Sequence, residues 1–141
     1  MAKCLKSLVV LFGFYALGSF AALPPLDRET LVEDSTHVVK GEVLDFRKQE
    51  RYSRNGNWQD VYTARVAIAS TSITKGNFCG QTSILVRYRT IHHADGMLGP
   101  IGQNVLPKVF EKCHFFLRLN EQDNVYDTLE PNGIQSCVST W

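Results

Sequence analysis

Residues 90–100 read TIHHADGMLGP, and His92, His93 and Asp95 within them are the chain's most concentrated set of groups able to bind a metal or move a proton. His114 follows later, beside Cys113. Two imidazoles and a carboxylate suit zinc or copper. Adjacent histidines on a strand point to opposite faces, so they converge on one ion only from a loop. Asp95-Gly96 is a turn signal and the stretch holds glycine, proline and alanine besides. It is therefore expected to be an exposed loop. His92, His93 and Asp95 remain the candidates for the alternative, a metal site.

Other chemistry is weaker. There is no G-x-S-x-G nucleophile elbow. Cys79, in NFCG, would need a histidine brought to it by the fold. Glu42, Asp45 and Asp60 could supply a carboxylate pair, yet acids that alternate outward along strands are expected to be solvated. No catalytic residue and no cofactor are assigned. The aromatic residues Tyr52, Trp58, Tyr62, Tyr88 and Tyr126 are better suited to contact. The last three fall in strand patterns that fit a core, which leaves Tyr52 and Trp58 as the candidate binding residues.

The elements that must position them begin after a leader. Lys3 and Lys6 precede the apolar run SLVVLFGFYALG, and Ser19-Phe20-Ala21-Ala22 closes it. A basic start, an apolar run of about a dozen residues and a small-x-small ending describe a secretory signal peptide, too short for a spanning helix. Residues 1–22 are read as this leader, with cleavage fitting after Ala21, and residues 23–141 as one domain. No further apolar stretch is long enough for a membrane. The chain has 15 basic and 14 acidic residues. Losing Lys3 and Lys6 makes it slightly acidic, without the basic excess or stripe of a nucleic-acid binder. Arg47, Lys48, Arg51 and Arg54 are interrupted by Glu50 and read as a solvated hairpin end.

Cys4 leaves with the leader, so Cys79, Cys113 and Cys137 reach an oxidising compartment, where one pair is expected to bridge. Zinc lacks a C-x-x-C pair and a second histidine near His114. Folding the tail back at Pro131-Asn132-Gly133 favours Cys113–Cys137 over Cys79–Cys137 and leaves Cys79 as a buried or reactive thiol.

Asp27 is a helix N-cap with Glu29 in the first turn, which predicts a short helix over residues 28–34 with Leu31 and Val32 facing the core. Five strands follow by period-two alternation: 37–46, a partner running through VYTARVAIAS, 82–89, 109–119 and 125–130. Gly41, inside the first, marks a bend or tight barrel corner. Asn55-Gly56 predicts a two-residue hairpin that sets Arg54 opposite Asn57, Tyr52 opposite Gln59 and Phe46 opposite Arg65. Residues 70–80 read as a connection tightest at Lys75-Gly76, and residues 90–108 as a long excursion. Closing five strands removes two exposed edges. The expected fold is thus all-β: a five-stranded OB-like Greek-key barrel with a short N-terminal helix, after a cleaved signal peptide.

The phrases THVVKGEV, VYTARVAI, KGNFCGQTSILVRY, CHFFLRL and LEPNGI, between Thr36 and Cys137, resemble small exported OB-fold proteins related to the inhibitory domain of tissue inhibitors of metalloproteinases. The resemblance implies the barrel and a non-enzymatic role. In those inhibitors a cysteine at the mature N-terminus chelates the protease zinc. Here that end is Ala22 or Leu23 followed by Pro24-Pro25, so the resemblance does not carry that mechanism over.

The expectation is a periplasmic or secreted binding module with a protein partner, no nucleic acid, and no membrane once the leader is cleaved. The alternatives are a small metal-dependent enzyme on the His92, His93 and Asp95 loop, and a structural envelope protein.

Overall fold

The computed structural model describes residues 24–52, 58–92 and 102–139. The leader and its cleavage site, the hairpin tip, His93 and Asp95 lie outside the described residues.

Helix α1 spans Arg28–Asp34, with the Asp27 side chain accepting from the Thr30 N–H at 2.7 Å, as the N-cap reading requires. No basic residue sits in its last turn. Its C-terminal carbonyls are met from outside: Lys75 Nζ donates to Val32 O at 2.7 Å and Arg118 Nε to Asp34 O at 2.8 Å. Both cations also lie at the negative end of the helix dipole. Leu31 is fully buried and packs with Val38, Phe116 and Leu129 in a small core outside the barrel.

The strands are β1 His37–Tyr52, β2 Trp58–Lys75, β3 Ser83–His92, β4 Glu111–Asn120, β5 Val125–Thr128 and β6 Ile134–Ser139. They pair in the order β1-β2-β3-β5-β4-β6, and β1 also pairs with β4, which closes the first five into a barrel. The β3–β5 pair is parallel and the others are antiparallel. Val39, Val43, Ala64, Val66, Ile84, Val86, Phe115 and Leu117 fill the interior. At Gly41 the strands approach so closely that a Cβ would collide with Val66 Cγ1. The register shifts on the N-terminal side of Gly41 mark the bend expected there.

Several expectations need correction. The β1–β2 register is one residue away from the expected one, with Tyr52 opposite Trp58 and Phe46 opposite Ala64. A one-residue slip turns every side chain to the other face. The observed register puts Phe46 opposite Ala64 and against the edge of the Tyr62 ring, with Ala64 and Val66 buried and Arg65 exposed, so the packing of the inner face outweighs the register expected from Asn55-Gly56. Strand β2 also continues through the expected connection to Lys75, and β3 runs on to His92, so residues 90–92 are strand and not loop.

The expected fifth strand ends earlier, and a sixth strand beyond its expected stop follows it on the same edge of β4. Strand β5 ends at Thr128, the chain bulges out, and Gly133 N–H donates back to Leu129 O at 2.9 Å. The Phe116 N–H then donates to Gly133 O at 2.8 Å, and β6 continues along β4. The ladder is irregular between Lys112 and His114, where Ser136 has φ 55°. That extra residue brings Cys137 to Cys113, and the two form a disulfide across a sequence separation of 24. Cys79 is not the leftover thiol expected of it: it is exposed, and among the described residues no cysteine is free.

Candidate functional site

On β2 the even-numbered residues face inward, from Ile68, Val66 and Ala64 through Tyr62 to Asp60 and Trp58. On β3 the matching row is Ile84, Val86, Tyr88, Thr90 and His92. The β2–β3 register pairs Tyr62 with Tyr88, Asp60 with Thr90 and Trp58 with His92. The core face therefore continues past the barrel along a three-stranded arm of β1, β2 and β3. It changes there from aliphatic to aromatic and polar.

The arm's inner face has a regular succession. Phe46 meets the Tyr62 ring edge-on at 5.9 Å, and Tyr62 and Tyr88 are stacked, 5.1 Å apart and 5° from parallel. Burial pushes the Tyr88 phenol well above its ordinary pKa, with Tyr62 adding to the effect. Farther out, Trp58 and His92 stack at 5.1 Å and 11°. Between the two stacks sits Asp60, only 8% exposed. One oxygen, Oδ2, lies 3.0 Å from His92 Nε2, while the other, Oδ1, is shielded from water and has no hydrogen-bond donor.

This corrects the expectation that Asp60 is solvated like Asp45, which does sit exposed against Arg65 at 2.7 Å. The available signal was parity: Asp60 lies at an even spacing from Ala64 and Val66 and so shares their face. Trp58 lies at the arm's end, opposite Tyr52 in register and stacked on His92. His92 lies on β3 and faces inward, with Nε2 engaged by Asp60 and by Thr90 Oγ1 at 3.4 Å. A relay of the nucleophile–base–acid kind uses the two imidazole nitrogens for different partners. Here both partners share one nitrogen, so Thr90, His92 and Asp60 do not form that arrangement. Among the described residues no group of three or more His, Cys, Asp or Glu could hold a metal ion.

His114 is far from this arm, on β4. Its ring packs at 4.8 Å from Phe116 and its Nε2 has no partner, so burial lowers its pKa, with Arg28 and Lys40 adding to the effect.

The opposite face of the arm holds a cleft of about 330 Å³ lined by Arg51, Gln59, Val61, Arg87, Arg89 and Glu130 among others. Its central cations are already engaged. Arg87 grips Asp127 through Nε at 2.7 Å and Nη2 at 3.0 Å and reaches Asp123 at 2.9 Å. Arg89 clamps Glu130 with two nitrogens and donates to Gln59 at 3.2 Å. This face is built from satisfied ion pairs, whereas the inner face holds the unsatisfied group.

Among the described residues no helix is long and apolar enough to cross a membrane. No protein-family model, curated protein or solved structure matches the chain.

Proposed function

We propose that this protein is an exported, non-enzymatic binding module on an OB-like Greek-key barrel, periplasmic or secreted, that takes a protein partner on the inner face of its β1–β3 arm. The strand order β1-β2-β3-β5-β4, the parallel β3–β5 pair and the long β3–β4 connection support the OB-like reading. The Cys113–Cys137 disulfide fits an oxidising compartment. The observation that carries the binding role is the Trp58–His92 stack at the end of the arm, backed by Asp60. Large flat rings held rigid beside a buried polar group are the usual composition of an energetic contact centre.

The experiment is capture from the exported fraction with the purified chain as bait, followed by reconstitution with the purified partner. Trp58→Ala is expected to lose the partner while keeping the unfolding midpoint of the parent chain. Equal capture by Trp58→Ala would reject the reading.

A further inference from the structure

The cleft on the outer face of the arm holds about 330 Å³, at the small end of the volumes that take ligands. Its floor is the β2 row of Gln59 and Val61. Arg51 stands on one side, opposite Gln59 on β1, and Arg89 on the other, opposite Val61 on β3. Residues in this register share one face of the sheet, and the two flanking strands are about 9.6 Å apart. Two arginine side chains can therefore converge on a group seated above Gln59 and Val61.

The charges of this cleft are unevenly settled. Asp127 clamps Arg87 with both carboxylate oxygens, Asp123 reaches it as well, and Glu130 clamps Arg89. Each acid of the lining is thereby matched by its own arginine. Arg51 is not: it is exposed and has no hydrogen bond or ion pair to a described residue. Its sequence neighbour Glu50 lies opposite Asp60 and so belongs to the inner face. Donors are left over in the same place. A guanidinium has five N–H donors; Glu130 takes two from Arg89 and Gln59 takes one, which leaves two. The Gln59 side-chain oxygen accepts from Arg89, while its NH2 group has no acceptor among the described residues. All of these groups are within reach of solvent, the Arg89 side chain being 44% exposed and Gln59 half-buried. What the cleft lacks is acceptors and a negative charge.

We propose that this cleft binds a small anion through a carboxylate or phosphate group, with Arg51 and Arg89 as the two arms of the site and the Gln59 amide as its floor. Both groups present several acceptor oxygens to a guanidinium fork, which binds them through paired charge-assisted hydrogen bonds. Glu130 and Gln59 already hold Arg89 in place, so the ligand does not have to order that side chain. Val61 offers the ligand's carbon body an apolar contact. The site lies on the face opposite the one assigned to the protein partner and stands without that assignment.

The test is NMR titration of the purified chain, at constant ionic strength, with inorganic phosphate, succinate and the neutral succinamide. Saturable shifts of the Gln59 side-chain NH2 and the Val61 amide are expected with at least one anion, and the tighter binder names the class. Succinamide, which keeps the shape of succinate and loses its charge, is expected to bind at least about tenfold more weakly. Arg51→Gln removes an exposed side chain on which the fold does not depend. It is expected to weaken anion binding about tenfold at an unchanged unfolding midpoint. Arg65→Gln removes an exposed cation outside the cleft and is expected to leave binding unchanged. No saturation with either anion, equal binding of succinamide, or undiminished binding by Arg51→Gln overturns the proposal. An equal loss in Arg65→Gln overturns it too, since the response would then follow net charge and not the cleft. The succinamide comparison needs no variant and decides the matter by itself.

Discussion

Gly76 lies against the ring of His37: a Cβ built on it would fall 2.5 Å from His37 Cδ2 and 2.7 Å from Thr36 O. Its φ of +89° is also a conformation that side chains rarely adopt. Gly80 shares the positive φ, at +72°, but has nothing within 4 Å of such an atom. Gly80→Ala is therefore expected to cost only the backbone term, about 1 kcal/mol. Gly76→Ala adds a collision with a buried ring and is expected to cost distinctly more. Urea unfolding of the two variants checks the order, and the reverse order would contradict it.

The Cys113–Cys137 bridge ties the tail to β4. Replacing both cysteines by serine is expected to destabilise the chain by about 3 kcal/mol, largely through the freedom regained by the unfolded chain. Non-reducing peptide mapping should recover a Cys113–Cys137 linked pair. A peptide joining Cys79 to Cys137 would contradict the pairing.

Acid should weaken the fold below about pH 6.5, the ordinary imidazole value. Burial lowers the pKa of His37, opposed by its bond to the Asn77 carbonyl and assisted by Lys75. Burial likewise lowers that of His114, assisted by Arg28 and Lys40. A base with a lowered folded pKa takes up its proton first in the unfolded chain. Stability is therefore whole above 6.5, and it is lost as pH falls from there toward the folded values. Unfolding midpoints measured across this range should show the slope, and His114→Gln should reduce it.

The Tyr62–Tyr88 stack should be measurable as a coupling. Tyr62→Leu, Tyr88→Leu and the double variant form a cycle whose interaction energy is expected near 1 kcal/mol, the usual value for an aromatic pair beyond its area. A coupling near zero would mean the two rings contribute independently.

Helix α1 was legible to the residue because its signal is local: Asp27 caps it, and Leu31 and Val32 give it one apolar side. The strand alternation was equally local, and so were the barrel's five strands. What was not legible depended on longer-range competition. The β1–β2 register follows the inward placement of Ala64 and Val66 and the Phe46–Tyr62 ring contact and not the hairpin dipeptide. Strand β6 was hidden because Pro131 and Gly133 read as a stop, whereas they form a bulge that returns the chain to the same edge of β4. In the candidate site, Trp58 could be named from its place near the hairpin end. Its partners could not: His92 was assigned to a loop, and Asp60 to the solvent, because both assignments ended the inner face where the barrel ends.

The arm that carries this face also has a consequence for how the molecules behave in a crowded solution. Strand β1 is paired to β4 only from His37 to Glu42, and β2 covers its other side as far as Tyr52. Beyond the barrel, β1 thus has one side without a ladder among the described residues, a ready template for a strand of another molecule. Along that stretch the sequence is FRKQER, with Arg47, Lys48, Glu50 and Arg51 all exposed. Charged side chains along a free edge disfavour pairing with a strand of another molecule. A long edge so fringed is a poor template for an intermolecular sheet, and the arm reaches beyond the barrel without one.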